Sequence, residues 1–261
     1  KNGYYHQFTR NMLHVNQPNN RFLEVGRMSC VEATDWSWGA LMVDLDNDGL
    51  KDIFVANGIY QDLTDQDFIN FIADSDVMAS MVKENKVDYQ KLIDAIPSER
   101  IPNHFFKNQG DLIFEDKTVD FGLETPSHSN GSAYGDLDLD GDLDLIINNV
   151  NMPAFVYENN SSDNTHYIQF KLKYKPGNRE GIGSKISIHS KKHSQYLSYM
   201  PMKGFQSSMD HLIHFGLANQ TSIDSVCIVW PDSKTTTLIN PNVDSLITID
   251  YENVVKESLN R

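Results

Sequence analysis

Only two of the 261 residues are cysteine, Cys30 and Cys227, and neither sits in a CxxC or a Cys/His cluster. A disulfide framework and a zinc site are thereby excluded, leaving a Cys30–Cys227 bridge as the one disulfide the count permits. No stretch approaches the roughly 20 consecutive apolar residues a membrane-spanning helix needs. Basic residues are also few, 22 Lys and Arg against 36 Asp and Glu, and the formal charge of −14 argues against nucleic-acid or anionic-membrane partners. The chain opens KNGYYHQF, without an initiator Met or a leader pattern, so we expect a removed targeting segment or a piece of a longer protein.

Familiar catalytic signatures are absent as well. There is no HExxH and no GxSxG, since the GSAYG that begins at Gly131 has its Ser in the wrong place. GNREGIGSK, from Gly177 to Lys185, lacks phosphate-loop spacing, and Gly181 with Gly183 lacks the third glycine of a dinucleotide fingerprint. His211 and His214 read as structural, hydrogen-bonded histidines rather than ligands. No nucleophile, acid–base pair or cofactor loop stands out, which points away from an enzyme.

Aspartate is what the sequence has in plenty, 26 Asp against 10 Glu. Glu suits helices, whereas Asp suits turns and hard-cation loops. An internal repeat explains where much of it goes. A shift of 92 residues lays Asn11 on Asn103, Asn16 on Asn108, Phe22 on Phe114, Gly39 on Gly131, and Asp44, Asp46, Asp48, Gly49 and Asp52 on Asp136, Asp138, Asp140, Gly141 and Asp144. Each unit reads as a short strand ending in Asn, a turn, a strand around Phe, a Gly-containing segment, an Asp-rich loop and an apolar strand. That is antiparallel β-structure in units of about 50 residues, the size of a propeller blade. A third copy begins at Phe155-Val156-Tyr157-Glu158-Asn159, and its strand completes the second blade.

Residues 61–100 interrupt the repeat. Phe68, Phe71, Ile72, Ser75, Met78, Ala79 and Val82 recur at helical spacing, with Thr64 and Asp67 resembling a capping box. Tyr89, Leu92, Ile93 and Ile96 suggest a second helix ended by Pro97. We expect a helical hairpin emerging from a blade-to-blade loop. Beyond residue 165, HYIQFKLKY, KISIHS and SLITIDY alternate and VCIVW is a buried-type run, predicting a small sandwich or barrel in which Trp230 is a core residue.

The loops DLDNDGLKD (Asp44 to Asp52) and DLDLDGDLD (Asp136 to Asp144) both fit DxDxDGxxD. Carboxylates packed so closely repel unless a cation lies among them. Alternate side chains turn inward, Gly allows the sharp turn, and the carbonyl of Leu50 or Asp142 can add an oxygen. The expected ligands are therefore Asp44, Asp46, Asp48, Leu50 and Asp52, and Asp136, Asp138, Asp140, Asp142 and Asp144, around two structural Ca²⁺ ions. An EF-hand would need Glu at the twelfth position, but Val55 and Ile147 stand there.

The repeat resembles the FG-GAP/VCBS repeat, a calcium-bearing blade of integrin-like β-propellers. Gly181-Ile-Gly-Ser-Lys-Ile, Phe205-Gln-Ser-Ser, His214-Phe-Gly-Leu, Asp224-Ser-Val-Cys-Ile-Val-Trp230-Pro-Asp and Leu246-Ile-Thr-Ile resemble the ASPIC/UnbV domain. That domain follows such blades in cartilage-acidic-protein-like secreted proteins and in Bacteroidetes-type surface proteins. Ser184-Lys185 after Gly-x-Gly, and Ser after Trp-Pro-Asp, depart slightly from its pattern. The resemblance implies a mainly β chain, with two calcium-binding blades of a partial propeller and their helical insertion over 1–160, and a small β-sandwich or barrel over 161–261. The family's propellers close with about seven blades, so two imply an N-terminal extension or another chain supplying the rest.

The expected function is a non-enzymatic, extracellular or cell-surface interaction module, outer-membrane-associated in a bacterium. Its partner would be a protein or the remaining blades. A glycan is the alternative, stacking on Trp36, Trp38 and Tyr60, and a third reading is an accessory part of a hydrolase. Four sequons, at Asn130, Asn159, Asn160 and Asn219, would matter only in a eukaryotic secreted setting.

Overall fold

A computed structural model describes residues 10–76, 82–83, 86–87, 89–161, 165–191 and 193–253. Strands make up 39% and helix 8%, distributed over several small sheets with no closed barrel among the described residues, so the mainly β expectation holds. The hairpin β1 (His14–Gln17) and β2 (Arg21–Glu24) comes first. β3 (Ser37–Val43) and β4 (Asp52–Asn57) then pair across the first Asp-rich loop.

The insertion follows. It contains α1 (Gln66–Ala73), the two-residue strands β5 (Val82–Lys83) and β6 (Lys86–Val87), and α2 (Tyr89–Asp94). Helical spacing misled at two points. The cap of α1 is Asp65, whose side chain accepts the Phe68 N–H, while Thr64 is held by Asp62. Val82 pairs with Val87 in a β-ladder instead of continuing a helix, because β-branched residues suit extended backbone. Met78 and Ala79 lie outside the described residues.

β7 (His104–Asn108) and β8 (Phe114–Asp116) complete a four-stranded sheet of order β3-β4-β7-β8. The insertion therefore joins β4 to its neighbour β7 within one sheet, rather than linking two blades. β9 (Ser129–Gly135), β10 (Asp144–Asn149) and β11 (Phe155–Tyr157) form a second sheet, with β11 on β10 as the third strand. The 92-residue shift carries β3 onto β9 and β4 onto β10 residue for residue, including the Asp52–Val43 and Asp144–Gly135 pairings.

β4 is buried on both faces. Phe54 and Ala56 join Phe105, Leu145 and Ile147 in a core shared by the two sheets, and Ile53 and Val55 pack with Val31, Phe106 and Phe114 on the other side. That is why DIFVAN is a continuous apolar run rather than an alternating one.

The C-terminal unit has β12 (His166–Lys173), β13 (Lys185–His189), β14 (Ser194–Ser198), β15 (Ile213–Ala218), β16 (Ser225–Val229), β17 (Thr235–Ile239) and β18 (Leu246–Asp250). They form a three-stranded sheet, β15-β12-β18, and a four-stranded sheet, β14-β13-β16-β17. One core unites them, with Ile168, Phe170 and Phe215 from the first and Ile186, Val226 and Ile228 from the second, an open two-sheet arrangement rather than a barrel. Trp230 is buried there and donates its indole N–H to Thr236 Oγ1 at 2.8 Å. Both cysteines are free, Cys30 on the exposed surface and Cys227 within β16, which removes the single bridge the sequence allowed.

Candidate metal centre

Each Asp-rich loop connects two paired strands, β3 to β4 and β9 to β10. Asn47 and Leu139 occupy the same place in the two loops with φ of 56° and 65°, and Gly49 and Gly141 follow with φ of 90° and 98°. This left-handed turn folds alternate side chains back toward one point. Oxygens of Asp44, Asp46 and Asp48 lie within 4.8 Å of one another, as do those of Asp136, Asp138 and Asp140.

Backbone donors hold the two loops alike. The Gly49 N–H donates to Asp44 Oδ2 (3.0 Å) and the Gly141 N–H to Asp136 Oδ2 (3.2 Å). Asp52 accepts the N–H groups of Leu45 and Asn108 on its two oxygens, and Asp144 those of Leu137 and Asn159. Asp52 thus ties its loop to β7, and Asp144 ties its loop to the segment just after β11. The Asp142 side chain is buried and accepts the Ser161 N–H (2.8 Å), whereas Leu50 is exposed.

The fit to a cation rests on what the hydrogen bonds leave over. Asp44 and Asp136 are almost fully buried, yet Oδ1 of each has no hydrogen-bond partner. A buried acceptor without a donor costs about 1–3 kcal/mol, more when charged, and a hard cation would remove that cost. Burial pushes the Asp44 carboxyl up to about 6 and the Asp52 carboxyl up to about 7, and raises those of Asp48 and Asp136. Lys51 opposes the shift at Asp44, and the Asn108 N–H opposes it at Asp52.

Both loops face the C-terminal unit. Asn47 is buried at the junction. Its amide donates to the Gly141 carbonyl in the other loop (3.0 Å), its Oδ1 accepts from His214 Nε2 (2.6 Å), and its carbonyl accepts the Ala218 N–H (2.7 Å). Gln169 Nε2 donates to Asp136 Oδ2 (2.6 Å) and lies 3.4 Å from His214 Nδ1, so the His214 ring is neutral, with its proton on Nε2. Burial, with Lys51 second, holds the His214 pKa down to about 3. His214 is structural, as its type suggested; its partner Asn47, 167 residues away, carried no signal in the sequence. The cavity between the units, lined by Lys51, Lys203, Asp44 and His214, measures about 40 Å³, water-sized rather than ligand-sized.

Two of the three aromatic candidates make ring contacts within the chain. Trp38 packs on Phe205 at 4.7 Å between ring centroids and donates to the Gly58 carbonyl, and Tyr60 meets His128 edge-on. Trp36 lines an open groove with Arg10, Arg27 and Asp35. Asn159, the acceptor residue of one sequon, uses its amide on the Leu45 and Leu143 carbonyls.

Residues 174–256 match the family model described as ASPIC and UnbV. Cartilage acidic protein 1 of Homo sapiens is 29% identical over 146 residues, 53% of this chain and 21% of the relative. The Mus musculus protein of the same name is 27% identical over 154 residues, 56% of this chain and 23% of the relative. The chain spans about a fifth of the length of the curated relatives it matches. Its C-terminal unit thus carries an ASPIC/UnbV domain, and the chain is a homologue of cartilage acidic protein 1.

Proposed function

We propose that this chain is a calcium-stabilised, non-enzymatic interaction module that works outside the cell, in which two FG-GAP/VCBS-type blades (1–160) carry an ASPIC/UnbV domain (161–261). The observation that carries this reading is the pair of loops in which Asp44 Oδ1 and Asp136 Oδ1 are buried without a donor while neighbouring carboxylates converge on them. Asp44, Asp46 and Asp48 would hold one ion and Asp136, Asp138 and Asp140 the other. When bound, calcium supplies charge compensation; the chain's own residues set the loop shape and seat the second unit.

Calcium modules of this kind bind at about 10⁻⁴ to 10⁻³ M, a range filled outside cells and not in cytosol. The relatives' name, cartilage acidic protein, and this chain's charge of −14 fit the same setting. The polar groups at the junction support a structural role, since Asn47, His214, Gln169 and Asp136 bond to one another. Calorimetry and thermal melting with EDTA or with calcium test the reading. Two sites filled at ten times Kd add about 3 kcal/mol, a rise in Tm of roughly 5–10 °C for a chain of this size. Absence of both heat and thermal shift up to about 10 mM calcium overturns it.

A further inference from the structure

We propose that Lys107 is a built-in counter-cation of the loop Asp44–Asp52, so that the two loops take up divalent ions unequally, Asp136–Asp144 first and tightly, Asp44–Asp52 second and weakly. The inference rests on the calcium reading above and adds which loop binds better and which side chain decides it.

Lys107 lies on β7, and its Nζ forms ion pairs with Asp46 Oδ2 and, at 3.3 Å, with Asp48 Oδ2. These are two of the three carboxylates that converge with the unpartnered Asp44 Oδ1. An ion entering the loop must share both oxygens with an ammonium or displace it, and either costs affinity. Lys51 also faces Asp44, Asp52 and Asp48, but burial pushes its own pKa down, so Lys107 is the cation that decides the difference. Four carboxylates and the Lys107 ammonium leave this loop a formal charge of −3.

The other loop has five carboxylates, and Leu143 stands where the first has Lys51. The counterpart of Lys107 is fixed by the hydrogen bonds. The Asn108 N–H donates to Asp52 Oδ1 at 2.9 Å, and the Asn159 N–H donates to Asp144 Oδ1 at the same distance. The residue before each asparagine is therefore the equivalent position, Lys107 in one sheet and Glu158 in the other. Charge around the ligands tunes the affinity of oxygen cages of this type, and an ammonium against a carboxylate at this equivalent position favours Asp136–Asp144. As calcium falls, Asp44–Asp52 releases its ion first and keeps two of its carboxylates paired through Lys107.

The experiment is calcium calorimetry on the whole chain, with circular dichroism as the check on folding. Wild type is expected to show two binding events about tenfold or more apart. Asp46→Asn should remove the weaker and Asp138→Asn the tighter. Lys107→Met should tighten the weaker event about tenfold and leave the tighter one in place, and Glu158→Lys, which puts an ammonium at the equivalent position, should weaken the tighter event by a similar factor. Two equal events, a Lys107→Met variant with unchanged constants, or loss of the weaker event in Asp138→Asn overturns the inference while leaving calcium binding intact. No binding up to about 10 mM overturns both.

Discussion

Gly216 lies so close to the first acidic loop that it has no room for a side chain. A Cβ there would meet Asn47 Cα and Asp44 Oδ2 at 2.5 Å each, and the first contact is backbone that cannot swing aside. Gly216→Val is expected to cost about 2–3 kcal/mol in urea unfolding, with the loss arising where the two units meet. His214 governs the same junction's response to acid. Its ring is neutral when folded, with the pKa held near 3, whereas an unfolded histidine titrates near 6.5. The unfolded chain then binds the extra proton between those values, so this stabilisation is complete above about pH 6.5 and is lost as pH falls toward 3. Between pH 6 and 4 wild type should lose about 1 kcal/mol per pH unit relative to His214→Gln, set against the opposite contributions of the raised Asp44 and Asp52 carboxyls; identical slopes in the two would refute the assignment. At this scale the sequence was only half legible. The carboxylates advertised themselves by spacing, but Asn47 sits in a loop with partners 94 and 167 residues away, and no local pattern encodes such contacts.

Among the elements, β4 is the keystone of its sheet, paired on both sides and buried on both faces. Phe54→Ala should cost about 3–5 kcal/mol, whereas Val156→Ala on the open edge of β11, where the side chain is exposed, should change stability by less than about 0.5 kcal/mol. A denaturant midpoint series distinguishes the two, and similar losses at both positions would contradict the assigned pairing. The apolar strands β4 and β10 were readable from the repeat, because a fixed 92-residue offset constrains register, whereas the Gly-containing segments that pair with them as β3 and β9 were not read as strands. The insertion was not. Phe68, Phe71 and Ile72 fall in α1, but the same spacing run on to Val82 crosses into β-structure, and spacing alone does not mark where helix gives way. Nor did it show that β4 and β7, 46 residues apart at Asn57 and Asn103, lie side by side.

For the whole molecule, the charge of −14 is partly a record of the two loops, which hold nine of the aspartates; two calcium ions would bring it to −10. The C-terminal unit rests on both loops, through Asn47 and His214 on one and Gln169 on the other. Limited proteolysis should therefore separate the two units faster in EDTA than in calcium. Equal rates would show that the junction does not sense the ions. The offset between repeat and sheet has a further consequence. One copy of the repeated sequence supplies the outer hairpin of one sheet (β7 and β8) and the inner pair of the next (β9 and β10), so the stretch that was copied and the stretch that folds are different objects, out of step by half. Each added copy would be sewn into both neighbours by covalent chain as well as by packing, and excising one at its sequence boundaries would rejoin two half-sheets into a whole one.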